Sequence, residues 1–245
     1  MFDNFFSLDI PGEVISSLIV VLIIIVLSII IAIQAHFQDP LKKPKGLLHL
    51  AEIGVKFFDG FAGELTGPAL PNFGGFIMAV AVYLFIAFIF GLTGLPSPVT
   101  YMAVPLSLGL TTFLLIHIIS ARFTKWKYFK RYVDPFPVFL PVNLISMWAP
   151  LLSLTLRLFG NAIAGWVLLT IVEYSLRDLS AIVFASMPSG VNEIFFAPIP
   201  LAILHAYFDL FSGLIQTTVF ISLTAIFIGQ EVPEELSINT LERRA

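Results

Sequence analysis

The sequence predicts an all-α membrane protein, in which about five transmembrane helices accompany one interfacial amphipathic helix. Of the 245 residues, 58% are hydrophobic and 12% are charged, whereas soluble domains carry about 25% charged residues. The mean hydropathy is +0.97, and several apolar runs reach the roughly 20 residues that a spanning helix needs. The absence of cysteine excludes disulfide frameworks and Cys-ligated zinc. We expect a single membrane domain over residues 1–245, with no cofactor, no metal site and no nucleic-acid partner.

The first apolar run, residues 14–35, predicts a retained spanning helix rather than a cleaved signal peptide, because no basic segment precedes it. Carboxylates stand before the run and lysines follow it. These residues are Asp3, Asp9 and Glu13 on one side, and Lys42, Lys43 and Lys45 on the other. Cytoplasmic segments carry the excess of Lys and Arg. The N-terminus is therefore expected outside the cell and the lysines inside it.

Residues 46–65 predict an amphipathic helix that lies at the cytoplasmic interface. Polar and small residues recur there at three- and four-residue steps and form one helical face. They are His49, Glu52, Lys56, Asp59 and Gly63. The charges argue against an ordinary span and favour an interfacial position. The alternative is a helix packed against soluble partners.

Two further spans are predicted at residues 73–92 and 102–120, joined by a short uncharged loop. A dense basic segment follows the second span, with Arg122, Lys125, Lys127, Lys130 and Arg131. In the orientation set by the first span this segment is cytoplasmic. All but two of the 13 Lys and Arg residues then lie in the cytoplasm, the exceptions being Arg157 and Arg177. That asymmetry supports the orientation, with a cytoplasmic C-terminus.

Two longer apolar runs, residues 138–172 and 194–228, predict long helices that are strongly tilted or bent. A helix of about 35 residues measures about 52 Å, whereas the hydrocarbon core of a bilayer is about 30 Å thick. Neither run contains a convincing tight turn that would divide it into two upright spans. The charged stretch between them, which includes Glu173 and Glu193, is expected to be an external connection.

Arg157 is the only Lys, Arg, Asp or Glu between Val138 and Val172. Placing an arginine at the centre of a membrane helix costs about 2.5–3.5 kcal/mol on insertion scales. This residue therefore needs a partner or a function. Ser153, Asn161 and Gly165 lie at four-residue steps from it and make a small, polar stripe, which allows another helix to approach closely.

The last run carries His205, Asp209 and Gln216 on one helical face, at spacings of four and seven residues. Such a group within a span is typical of a water-filled path for ions. Glu173 and Glu193, at the external ends of the two long helices, either supply ions to this path or are solvated interface charges.

Arg157 and Asp209 are predicted at similar depths, because the two long helices run in opposite directions. Two alternatives follow for the counter-charge of the arginine. It is either Asp209 of the same chain or a carboxylate on another chain.

Three classes of function compete at this point. A secondary transporter with an intramembrane Arg–Asp site would predict inverted repeats and broken helices, which the sequence does not clearly show. An intramembrane enzyme is disfavoured, because HExxH and GxSxG motifs are missing. A membrane scaffold would leave Arg157 unexplained.

The hexamer LRLFGN at Leu156–Asn161, the AIAG that follows it and the PVNLIS segment at Pro141–Ser146 resemble subunit a of the bacterial F-type ATP synthase. The resemblance implies a stationary, non-catalytic membrane subunit that faces the ring of c subunits. It also implies contacts with the b-subunit peripheral stalk and other ATP synthase subunits, and a place in the bilayer of the bacterial inner (plasma) membrane. Two aqueous half-channels are expected to couple ion translocation to rotation of the ring.

The resemblance also implies roles for individual residues. Arg157 matches the essential arginine of the family and Gln216 the glutamine that lies near it. Asn161 matches a channel-lining asparagine, and Ser153 a small polar neighbour.

The sequence departs from the family pattern at three places where other members often carry acidic residues. Those places hold Trp166, the pair Ser146–Met147 and the segment Tyr101–Ala103. Asp209 occupies a position where other members have a polar residue in the external half-channel. We expect Asp209, together with Glu193, Glu173 or His205, to substitute for the missing carboxylates.

Overall fold

The computed structural model describes residues 11–39, 42–67, 70–125, 134, 136–188 and 190–233, and within these ranges the fold is all-α. The predicted fold class is thereby confirmed. The helices are α1 at Gly12–Phe37, α2 at Leu47–Thr66, α3 at Phe73–Ile89, α4 at Ala103–Thr124, α5 at Leu140–Val183 and α6 at Pro198–Gly229. Short 3₁₀ turns at Phe90–Thr93, Pro98–Thr100 and Pro137–Phe139 precede or follow them.

Five helices of the described chain are long and apolar enough to cross a membrane: α1, α3, α4, α5 and α6. The longest, α5, has 44 residues, so it is about 66 Å long. A bilayer core of about 30 Å cannot contain such a helix upright. Pro150 lies inside α5, and a proline removes a backbone hydrogen bond and allows a helix to bend.

The helix α5 continues past the predicted boundary at residue 172, and the connection to α6 begins after Val183. Glu173 and Arg177 are therefore helical, not part of a loop. Their side chains form an ion pair of 2.6 Å at a spacing of four residues, which is an arrangement that stabilises helices. The last helix begins at Pro198, four residues after the predicted start of its apolar run.

The core of the bundle is formed by α3, α4, α5 and α6. Its largest fully buried side chains include Ile77 and Leu84 of α3, Leu154 of α5 and Phe220 of α6. The helix α1 is peripheral, with 11% of its most apolar window buried. It contacts α3, and the hydroxyls of Ser17 and Tyr83 are hydrogen-bonded at 2.8 Å.

The amphipathic helix α2 packs against α3 and α6. Ala62 and Thr66 are buried in this contact, and Gly229 of α6 lies so close to the backbone of α2 that an added Cβ would clash with it. On the outer side, Lys56 donates a hydrogen bond of 2.5 Å to Glu52. This bond and the opposite charge of Lys56 hold the pKa of the Glu52 carboxyl below its ordinary value.

Candidate functional site

Arg157 lies on an exposed face of α5. Its guanidinium Nη2 donates a hydrogen bond of 3.3 Å to the hydroxyl of Ser153, one turn earlier. No carboxylate of the described residues lies within the 4.0 Å limit of an ion pair with Arg157. Asp209 is paired with His205 instead. The first of the two predicted alternatives is therefore not what the structure shows, and the guanidinium faces outward from the chain.

The helices α5 and α6 are antiparallel, and two contacts define how they align. Gly165 faces Phe208, whose side chain would lie 3.2 Å from a Cβ added to the glycine. One turn along, the amide of Asn161 forms hydrogen bonds of 3.0 and 3.1 Å with the hydroxyl of Ser212. Each step of four residues towards the start of α5 thus matches four residues towards the end of α6.

The next step in this alignment brings Arg157 to the level of Gln216. The Gln216 side chain is buried, at 8% exposure. Its Nε2 atom has no hydrogen-bond partner among the residues that the structure describes. A buried, unsatisfied donor costs about 1–3 kcal/mol. At the level of Arg157, the bundle therefore holds an outward-facing cation on α5 and a buried amide on α6, whose Nε2 donates no hydrogen bond to a described residue.

Asp209 lies in a π-helical segment, Ala206–Ser212, in the middle of α6. Such segments are rare and occur often at functional sites. The Oδ2 atom of Asp209 is 2.7 Å from Nδ1 of His205, and an ionised carboxylate accepts this hydrogen bond from the ring N–H. The carboxyl packs against Gly91, where an added Cβ would lie 3.3 Å from Oδ2. The Asp209 side chain is 17% exposed and that of His205 is 37% exposed.

A cavity of about 510 Å³, which we name the first cavity, brings together four of the predicted site residues: Asn161, Glu173, His205 and Asp209. The remaining walls come from the end of α3, the loop after it, the second half of α5 and one residue of α6. These residues are Phe88, Gly91, Gly94, Leu95, Pro96, Ser97, Thr100, Ala162, Gly165, Trp166, Leu169, Thr170 and Phe208. Ser153, Glu193 and Gln216 are not part of this lining. Asp209 belongs to the π-helical segment, whereas Gln216 lies in the α-helical part that follows it.

A second cavity, of about 280 Å³, lies among α4, the start of α5 and the end of α6. Ile116, His117, Ser120, Asn143, Ser146, Met147, Pro150, Phe227, Gln230 and Glu231 line this second cavity. Sequence reasoning did not identify it. The available signal was weak: single polar residues stand at the ends of three apolar runs, and only tertiary packing joins them.

The two cavities lie on opposite sides of Arg157 along α5. The α5 residues of the first cavity all follow Arg157, from Asn161 onwards, and those of the second all precede it, up to Pro150. Pro150 and Asn161 are 11 residues apart, so about 16 Å of helix separates the two linings. Arg157 is in neither lining and stands between them.

Known proteins are similar in sequence to this chain over most of its length. Residues 14–229 match the family described as ATP synthase A chain. The chain is 31% identical to ATP synthase subunit a of Pediococcus pentosaceus, over 79% of this chain and 82% of that protein. It is 31% identical to ATP synthase subunit a of Staphylococcus aureus, over 95% and 96%, and 27% identical to that of Mycoplasma genitalium, over 76% and 67%. The chain therefore belongs to the ATP synthase A chain family.

Proposed function

We propose that this chain is the stationary subunit of the proton channel of a rotary ATP synthase, with the first and second cavities as its two half-channels. As a member of its family it is a multi-pass membrane subunit that works with other ATP synthase subunits and catalyses no reaction itself. The partners we assign to it are a ring of c subunits, the peripheral stalk subunit b and the lipid bilayer.

The observation that carries this proposal is the arrangement around Arg157. Two cavities with polar residues in their linings lie on opposite sides of Arg157 along α5, and about 16 Å of this helix separates them. The cation between them has no carboxylate partner among the described residues. A continuous pore would let protons cross without doing work, whereas two separated paths require a carrier that moves between them.

The distribution of Lys and Arg gives the orientation of the paths. The positive-inside rule predicts an external N-terminus, and α5 then ends and α6 begins on the external side. The first cavity, lined by the second half of α5, is accordingly the external half-channel. The second cavity, at the start of α5 and the end of α6, is the cytoplasmic half-channel. The membrane is the plasma membrane of a bacterial cell.

The carrier is a carboxyl group on each subunit of the ring. A proton that enters through the first cavity neutralises this carboxylate, and the neutral group can then face lipid. An ionised carboxylate cannot do so, because its desolvation in hydrocarbon is too costly. The ring turns until the carboxyl reaches the second cavity and releases its proton. Each proton that crosses 100 mV contributes about 2.3 kcal/mol.

Arg157 acts on the ring carboxyl as it passes between the cavities. An opposite charge nearby favours the ionised form of a carboxyl group, which promotes release of the proton. The fixed positive charge also repels a proton that would cross directly from one cavity to the other. The amide of Gln216 lies at the same level, but its Nε2 is buried inside the chain, so its side chain would have to rotate before it could donate a hydrogen bond to that carboxylate. Arginine suits this position because it stays protonated even when desolvated, whereas a buried lysine loses its proton readily.

The substitution Arg157→Lys tests the proposal. We expect ATP-driven proton pumping in inverted membrane vesicles to be abolished, while the c ring still co-purifies with the complex. Arg122→Lys, at the exposed end of α4, is the matched control and should pump normally. Near-normal pumping by Arg157→Lys, in a complex that contains the ring, would refute the role of Arg157.

A further inference from the structure

We propose that Glu231 is the proton-carrying residue of the second cavity and passes protons between its interior and the cytoplasm. This inference rests on the proposed function, because it treats the second cavity as the cytoplasmic half-channel. It assigns that step to one side chain, at the end of α6.

The composition of the lining limits which residues can carry a proton there. The four lining residues on α5 are Asn143, Ser146, Met147 and Pro150, and none of them has an ionisable side chain. Gln230, Ser120 and the apolar residues do not titrate either. Of the ten lining residues, only Glu231 and His117 do, so these two are the candidates for a side chain that accepts the proton.

The surroundings of His117 favour a structural role for this residue. Its Nδ1 donates a hydrogen bond of 2.8 Å to the backbone carbonyl of Phe113, one turn earlier on α4. Its ring also lies against the Phe113 ring, with a centroid distance of 4.1 Å. One nitrogen of the imidazole is thereby committed to its own helix. The ring is half-buried and fixed as part of the wall of the cavity.

Glu231 is placed differently. It is the second residue after the end of α6, in a turn where its N–H donates to the carbonyl of Ile228 at 3.1 Å. Its side chain is partly exposed and also lines the second cavity. It therefore stands where the cavity meets the surface. A carboxylate can accept a proton and release it again, which is the chemistry that a proton carrier needs.

The proposed step is a simple proton transfer. The ring carboxyl dissociates into a carboxylate and a proton, and the proton moves through the polar cavity to the carboxylate of Glu231. The protonated Glu231 then gives it to a cytoplasmic base or water molecule and returns to its ionised form. At 280 Å³ the cavity is far larger than the roughly 30 Å³ that one water molecule takes in the liquid. Hydration can therefore bridge the distance.

The experiment uses the complete ATP synthase in membrane vesicles. Passive proton flux is measured through the membrane sector after removal of the catalytic sector, and ATP-driven pumping is measured in the intact complex. For Glu231→Gln we expect both rates to fall about fivefold, with normal amounts of assembled complex. Glu64→Gln makes the same change at an exposed position of α2 outside both cavity linings; it is the matched control and should leave both rates unchanged.

Moving the carboxylate to another wall of the second cavity distinguishes a role of Glu231 in proton transfer from a structural role. Asn143 lines the same cavity from α5, so Asn143→Glu adds a carboxylate there. We expect the double variant Glu231→Gln/Asn143→Glu to recover the flux of Asn143→Glu alone. A loss in Glu231→Gln without such recovery would mean that Glu231 acts through structure, and this would overturn the inference.

The result for Arg157 keeps the two proposals apart. If Arg157→Lys abolishes pumping while Glu231→Gln conducts at the wild-type rate, only the assignment of Glu231 fails. If Arg157→Lys pumps normally, the half-channel proposal itself fails. Wild-type flux in Glu231→Gln refutes the inference in either case.

Discussion

The two cavities of this protein place their acidic groups at different depths. In the first cavity, Asp209 is 11 residues past the start of α6, about 16 Å along the helix, and is held by His205. In the second cavity, Glu231 lies beyond the end of α6, close to the surface. A proton reaches a deep carboxylate only through the interior of the protein. At the rim of a cavity, water can carry the proton past the carboxylate. We therefore expect the first cavity to be the more sensitive of the two to loss of its carboxylate.

The largest effect is expected for Asp209→Asn. Asparagine keeps the size of the side chain and one oxygen that can accept the hydrogen bond from His205, but it cannot carry a proton. Proton pumping should fall about 100-fold in a complex that still assembles, which is far more than the effect of Glu231→Gln. Asp178→Asn, on an exposed part of α5, is the control. Equal losses from Asp209→Asn and Glu231→Gln would contradict the difference in depth.

An intermediate effect is expected where α5 is joined to the π-helical segment. Asn161 and Ser212 share two hydrogen bonds, so either alanine substitution breaks the whole link. Each single variant, and the double variant, should destabilise the complex by about 1 kcal/mol and slow pumping about twofold. The measurements are thermal inactivation of the purified complex and pumping in vesicles.

The double variant shows whether Asn161 and Ser212 act as one link or separately. Because the link is shared, the double variant Asn161→Ala/Ser212→Ala should be no worse than either single variant. Thr218→Ala removes a hydroxyl that bonds only within α6 and serves as the control. Fully additive losses would show that the two residues act separately, and the first cavity would then not depend on this link.

The smallest effect is expected for Glu173 and Glu193, two glutamates that the sequence alone does not distinguish. Glu173 lines the first cavity and is paired with Arg177, whereas Glu193 is outside the lining. Glu173→Gln should lower the rate of pumping by less than about twofold, because an exposed ion pair contributes about 0–1 kcal/mol. Glu193→Gln should have no measurable effect. The reverse order would mean that protons enter by a different path.

Much of the fold could be predicted because membrane helices are marked by long apolar runs, and each of the five runs became a helix. The helix α5 ends later than predicted, because charged residues are typical of connections but also occur on exposed faces of helices. The four-residue spacing of Glu173 and Arg177 was a helical signal that local reasoning could have used. The length of α6, 32 residues, is close to the predicted run of about 35 residues, whereas α5 has 44 residues and extends well beyond its predicted end.

The candidate site could also be predicted only in part. His205 and Asp209 could be paired from their spacing alone, since side chains four residues apart meet on a helix. Their meeting with Asn161 and Glu173 around one cavity required the packing of α5 on α6. The contribution of Glu231 could not be predicted, because it stands in the polar segment after the last apolar run. Only the fold brings it beside His117 and Asn143.

The π-helical segment also affects how this chain should be aligned with its relatives. Its hydrogen bonds span one residue more than those of an α-helix, so the segment is a place where one residue can be inserted or removed without disturbing the helix on either side. Members of the family that differ in length by one residue between the equivalents of His205 and Gln216 can therefore share both flanking helices. An alignment without a gap there would pair the wrong positions on one side. The two halves of α6 should be aligned separately.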